Sequence, residues 1–92
     1  MTMPFFGVEF DWDPTKSATN KTKHGISFDE VMIALAGEAP LAILPNLTHP
    51  GQQLIVFRIA EDVCVAAVEK RQGVTRIITA QRRRKMRKQY GP

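Results

Sequence analysis

The sequence predicts a single α+β domain, an antiparallel β-sheet packed by two helices from the first half of the chain and one from its end. Three observations carry this expectation. Apolar residues alternate with acids near the start, a capping signal opens an amphipathic segment at Ser27, and three β-branched runs follow one another from Leu54 onward. With 92 residues the chain has room for one core and falls short of two, and its 43% hydrophobic fraction can fill that core. Residues 1–92 are therefore read as one domain, with 1–7 loosely attached.

Val8, Phe10 and Trp12 alternate with Glu9, Asp11 and Asp13, the period of a half-buried strand. Asp13 before Pro14 joins a favoured N-cap to a favoured first helical residue, so a helix runs from Pro14 to about His24 and stops at Gly25. Ala18 is its one interior apolar residue, which predicts loose attachment and outward-facing side chains. Ser27 and Glu30 form a capping-box pattern, and Phe28, Val31, Met32, Leu35 and Ala36 fall on one face of a second helix that Gly37 ends. Residues 38–53 read as a loop with room for one short extra strand at 41–44.

The runs 54–60, 63–70 and 74–80 are separated by Glu61-Asp62 and Arg71-Gln72-Gly73, and they predict an antiparallel meander. Arg58 and Arg76 sit among apolar strand neighbours, so each must be paired or line an open face. The end of the chain reads as a helix with Arg82, Met86 and Tyr90 as a thin inner stripe. The predicted order is βααβββα.

The net charge is +4, from thirteen Lys and Arg against nine Asp and Glu. Arg82, Arg83, Arg84, Lys85, Arg87 and Lys88 lie together near the end with no acid among them. Such a cluster binds phosphates in a salt-dependent way, although it also fits a solvated helix face or a docking surface for an acidic partner. The lone Cys64 can form no internal disulfide and reads as a small apolar residue in a reducing compartment. A start without a leader pattern, and the lack of a membrane-length apolar stretch, predict a cytoplasmic protein with no membrane partner.

Trp12-Asp13, Lys16, Asn20 and Lys23-His24-Gly25-Ile26-Ser27-Phe28-Asp29-Glu30 stand in the first half of the chain. Asn46-Leu47-Thr48-His49, Arg71 and Arg76-Ile77-Ile78-Thr79-Ala80 stand in the second. Their types and spacing resemble the BrnT family of toxin-antitoxin ribonucleases, from about residue 8 to residue 90. The resemblance implies a RelE-like fold, metal-independent cleavage of mRNA that halts translation, and no cofactor. It also implies a BrnA-like antitoxin that wraps the toxin and carries a DNA-binding domain, so DNA would be met only indirectly. The sequence departs from the family pattern at Gln81, where an arginine is expected, at Gln52-Gln53-Leu54, where an acidic-Arg pair is expected, and at Glu69, where a threonine is expected.

Cleavage of RNA without a metal requires activation of a 2′-OH, fixed cations against the phosphorane, and a proton for the leaving oxygen. Under the resemblance, Lys23, His24, Arg71 and Arg76 surround the scissile phosphate, His49 is a further acid or base, and Arg82 stands in for the arginine missing at Gln81. Lys16, Asn20, Lys23 and His24 make one polar helix stripe, so Lys16 and Asn20 join Arg82, Arg83, Arg84, Lys85 and Arg87 as RNA contacts. Each has a plainer reading: a helix-end histidine for His24, a loop histidine for His49, a turn residue for Arg71, and an ion pair with Glu69 or another acid for Arg76. Two further functions stay open. One is a non-catalytic homologue that binds RNA or antitoxin; the other is a metal-dependent nuclease using Glu9, Asp11 and Asp13.

Overall fold

The computed structural model describes residues 2–5 and 8–90. Strands β1 (Thr2–Phe5) and β2 (Val8–Asp11) lead into helices α1 (Pro14–His24) and α2 (Phe28–Gly37). Strands β3 (Ala42–Pro45), β4 (Gln52–Ile59), β5 (Asp62–Arg71) and β6 (Val74–Arg82) follow, and the chain closes with a 3-10 turn (Arg84–Met86) and the one-turn helix α3 (Arg87–Tyr90). The α+β architecture is the predicted one, and the short extra strand is present as β3. The loosely attached segment expected at 1–7 lies partly outside the described residues, and Thr2–Phe5 pair with β2.

One six-stranded sheet runs in the order β1-β2-β6-β5-β4-β3. Every pair is antiparallel except β2 with β6, which run parallel from Glu9↔Val74 to Asp11↔Arg76. The sheet is thus mixed, where the sequence predicted antiparallel pairing throughout. The physical reason is the return path: the chain leaves β2 through two helices, builds the meander from β3, and brings β6 back beside β2.

Alternation divides the sheet into two faces. Phe10, Trp12, Ile55, Phe57, Cys64, Ala66, Val68, Ile77 and Ala80 face α1 and α2 and form the main core with Ile26, Phe28, Val31, Met32 and Leu35. The capping box is formed as predicted, with Glu30 N–H donating to the Ser27 hydroxyl and Ser27 N–H donating to the Glu30 carboxylate. Ala36, expected on the inner face, is exposed. On the other face Val56, Val63 and Val65 form a smaller cluster, against which Met86 and Tyr90 pack. Arg58, on that same face, donates to the Tyr90 carbonyl at 2.9 Å and approaches Glu38 at 3.8 Å, so it ties the tail to β4.

Helix α1 corrects two expectations. It is held firmly, and by polar groups rather than apolar ones: Ser17 and Asn20 are buried while Ala18 is exposed. The Ser17 hydroxyl accepts from Phe28 N–H at 2.9 Å. The Asn20 amide nitrogen donates to the carbonyls of Ile26 and Ala80 at 2.7 and 2.8 Å, and its oxygen accepts from Ala80 N–H at 3.3 Å. Because β2 pairs with β6 only as far as Asp11↔Arg76, the later part of β6 has no strand on that side, and the Asn20 carboxamide serves as a one-residue substitute.

The tail also departs from expectation. Strand β6 runs on to Arg82, and only one turn of α-helix forms at Arg87–Tyr90. Met86 and Tyr90 do turn inward, but Arg82 sits in the strand, on the face of Ala80, and reaches toward α1.

Candidate functional site

A groove of about 640 Å³ opens on the sheet face opposite α1 and α2, lined along its floor by Leu44, Leu54, Val65, Ala67 and Ile78. Its rim is polar, with Asn46, Thr48, His49 and Gln52 from the β3–β4 loop on one side and Thr79, Gln81 and Arg83 on the other. At one end it shares Leu54, Val65 and Arg83 with a second hollow of about 620 Å³ that Arg82, Arg84 and Lys85 flank. A third hollow of about 330 Å³ lies beside α1, where Lys16, Thr19, Asn20, Lys23 and His24 meet Ile78 and Thr79 of β6. Ile78 and Thr79 line both the groove and this third hollow, so the two depressions adjoin at these residues.

A β-bulge creates the junction. Ala67 pairs with Thr79 and Val68 with Ile77, which leaves Ile78 as the extra residue of β6. Ile77 and Ala80 remain buried on the helix side, while Ile78 and Thr79 between them are partly exposed.

The β3–β4 loop is tightly bonded. Asn46 N–H donates to the Gln52 carbonyl, His49 N–H to the Asn46 carbonyl and Gln52 N–H to the His49 carbonyl, while Gly51 adopts φ +91°, which a side chain would strain. The loop side chains are joined as well. Asn46 Nδ2 donates to Gln52 Oε1 at 3.1 Å, Asn46 Oδ1 accepts from Thr48 N–H and its hydroxyl at 3.2 and 2.9 Å, and Thr48 Oγ1 meets His49 Nδ1 at 3.1 Å.

The expected site residues fall into three groups. Lys16, Lys23 and His24 share the hollow beside α1, and His49 and Arg83 line the groove, so these five border two depressions that share Ile78 and Thr79. Arg71 and Arg76 do not join them. Both lie near the β5–β6 hairpin, Arg71 paired with Glu69 at 2.8 Å and Arg76 with Asp11 at 2.8 Å, and neither lines any of the three hollows. Arg76 precedes Thr79 by three residues, roughly 10 Å along a strand. The cross-sheet register places the paired acids beside it, since Arg76 stands opposite both Glu69 and Asp11.

Asn20 and Arg82 are both engaged within the fold. Asn20 borders the hollow, but it is buried and both amide hydrogens are committed to carbonyls, so it has no donor left for a phosphate. Arg82 donates to Asp62 at 3.0 Å and to the His24 carbonyl at 3.3 Å, fastening the end of α1 to β5 and β6. It also flanks the second hollow, while Gln81 lines the groove with Arg83 beside it. Arg87 lies in α3, and Arg84 and Lys85 flank the second hollow.

Asn46, Thr48, Gln52 and Thr79 are the groove residues to which sequence reasoning assigned no chemistry. The Asn46-x-Thr48 spacing was a signal for the first two, because an Asn carboxamide readily binds the N–H two residues on. Burial pushes the Cys64 thiol up and keeps it protonated, in agreement with a packing role. Asp11 is committed to Arg76, and Asp13 accepts from Thr15 N–H at 2.8 Å. Among the described residues no group of three His, Cys, Asp or Glu is disposed to hold a metal ion.

The family described as ribonuclease toxin, BrnT, of type II toxin-antitoxin system matches residues 12–89 of the chain. The chain belongs to the BrnT family. Comparison with curated proteins and with solved structures gave no match. As a BrnT ribonuclease toxin, the chain has an RNA substrate and an antitoxin partner, which is the setting in which its groove and basic end are to be read. No described helix of this BrnT chain is long and apolar enough to cross a membrane.

Proposed function

We propose that this BrnT chain is a metal-independent endoribonuclease that cuts mRNA across the Ile78–Thr79 junction and so halts translation. The observation that carries the reading is that the groove and the hollow beside α1 share Ile78 and Thr79. One histidine and two lysines lie on one side of the junction, a second histidine lies on the other, and an unbroken cationic stretch from Arg83 to Lys85 leads away from it. Cations at the two ends hold the backbone of a single strand, while the apolar floor between them accepts an unstacked base. Lys23 and Lys16 supply charge to the phosphorane, and His24 and His49 supply proton transfer. Arg71 and Arg76, already paired with acids, serve the sheet and stand outside the reaction.

A BrnA-like antitoxin neutralises the toxin by covering the groove and the basic end, and it carries the link to DNA. The setting is cytoplasmic. Gln81, in the groove where an arginine is expected, favours a second reading in which the chain binds RNA or antitoxin without cutting.

The test is incubation of the purified chain with a single-stranded RNA, with and without EDTA, beside a Lys23→Ala/His24→Ala double variant. Cleavage that survives chelation and falls at least about 100-fold in the variant supports the proposal. Salt-sensitive binding without cleavage supports the second reading, and loss on chelation returns the reaction to a metal.

A further inference from the structure

We infer that His49 is the general base of the cleavage, with Nε2 held as its proton acceptor by a hydrogen-bond chain through Thr48, Asn46 and Gln52. The inference rests on the ribonuclease reading above and assigns within it a role that the family match does not.

The direction of the chain follows from one backbone donor. Thr48 N–H can only donate, so the Asn46 side-chain atom facing it at 3.2 Å is the carbonyl oxygen, and the amide nitrogen is the atom turned to Gln52. Asn46 Oδ1 can only accept. The Thr48 hydroxyl, 2.9 Å away, therefore spends its single proton on Asn46. That leaves Thr48 Oγ1 as an acceptor toward His49 Nδ1 at 3.1 Å, and Nδ1 must carry the ring proton. In neutral imidazole the other nitrogen is then bare, so His49 offers Nε2 as a lone pair.

The setting suits the role. His49 is exposed on the rim of the groove, and the loop that carries it is fixed by three backbone hydrogen bonds between Asn46, His49 and Gln52. Among the described residues Nε2 has no hydrogen-bond partner. His24, on the far side of Thr79, has no comparable relay from its ring.

In the reaction Nε2 removes the proton of the 2′-OH as the 2′-oxygen bonds to phosphorus. The bond from phosphorus to the 5′-oxygen breaks, and that oxygen leaves with a proton from the protonated imidazole of His24. The products are a 2′,3′-cyclic phosphate and a 5′-hydroxyl, and the two histidines re-equilibrate with solvent. His49 is the catalytic residue here; Thr48, Asn46 and Gln52 are positioning residues.

The experiment measures kcat, KM and pH dependence on a short single-stranded RNA for the intact chain and for His49→Ala, Thr48→Val and Thr48→Ser, with RNA affinity measured separately. His49→Ala is expected to lower kcat by roughly 10²- to 10⁴-fold with little change in affinity, and added imidazole to restore part of it. Thr48→Val removes the acceptor for Nδ1–H; it lowers kcat and displaces the acid limb of the rate profile while KM holds, and Thr48→Ser restores both. Full cleavage by His49→Ala overturns the assignment and leaves the ribonuclease reading standing. An unchanged profile in Thr48→Val overturns the relay. An intact chain that cleaves no RNA overturns both the ribonuclease reading and this inference.

Discussion

Replacing Asn20 by alanine separates a structural from an RNA-binding role for the residue. The residue is 6% exposed and its side chain makes three hydrogen bonds, two to Ala80 and one to Ile26, all with backbone groups. At about 1 kcal/mol net for each bond, their loss amounts to about 3 kcal/mol, because the orphaned carbonyls and N–H stay inside the protein. For a domain of this size each kcal/mol moves the midpoint by about 4–8 °C, so Asn20→Ala is expected to lower Tm by about 12–24 °C. Asn20→Asp keeps the volume but sets a carboxylate against the two carbonyl oxygens, so at neutral pH it should be at least as unstable. Thermal and urea unfolding followed by circular dichroism give both values. A Tm within about 3 °C of the parent, together with weakened RNA binding, would refute the argument and return Asn20 to the RNA-facing stripe.

Two further outcomes are expected. The Glu30 carboxyl is lowered from its ordinary 4.5 to about 2, first by the hydrogen bond from Lys21 and then by the Ser27 N–H, so its contribution is complete above pH 4.5 and is lost as pH falls toward 2. The Tm gap between the parent and Glu30→Gln should hold steady from pH 7 to about 5 and close below that; a gap that persists at pH 2 would deny the linkage. Arg84→Ala and Lys85→Ala should each flatten the salt dependence of RNA binding by about one unit of slope, whereas Arg82→Ala should leave the slope alone and cost about 1 kcal/mol of stability. Equal effects of all three on the slope would put Arg82 on the RNA.

The clearest sequence signals gave the most faithful elements. Ser27 with Glu30, and the spacing of Phe28, Val31, Met32 and Leu35, are local facts about one helix, and α2 follows them closely. Helix α1 has the bounds that Asp13, Pro14 and Gly25 predict, but it is attached through polar groups rather than loosely. Hydrophobic periodicity registers apolar contact and is blind to Ser17 and Asn20, which dock through hydrogen bonds to Phe28 and Ala80. The parallel pairing of β2 with β6 joins residues 65 apart in the chain, from Glu9↔Val74 to Asp11↔Arg76, and the run of β6 through Arg82 follows from its pairing with Cys64 and Val65 of β5. The same holds for the site. That Arg76 faces Asp11 is a matter of register across two strands, and that His24 and His49 border connected hollows depends on the Ile78 bulge. The ring orientation of His49, by contrast, is written almost entirely within Asn46-Leu47-Thr48-His49, and it needed only the loop geometry to become readable.

The Asn20 carboxamide has a consequence for solubility. A ladder margin with bare amide and carbonyl groups recruits strands from other molecules, and proteins commonly guard such margins with charge, proline or a covering segment. Here the guard is a side chain on a helix that is held by hydrogen bonds and contributes no residue to the apolar core cluster. Local detachment of that helix would uncover adhesive backbone before global unfolding, so heated samples should clump while most of their secondary structure is still intact.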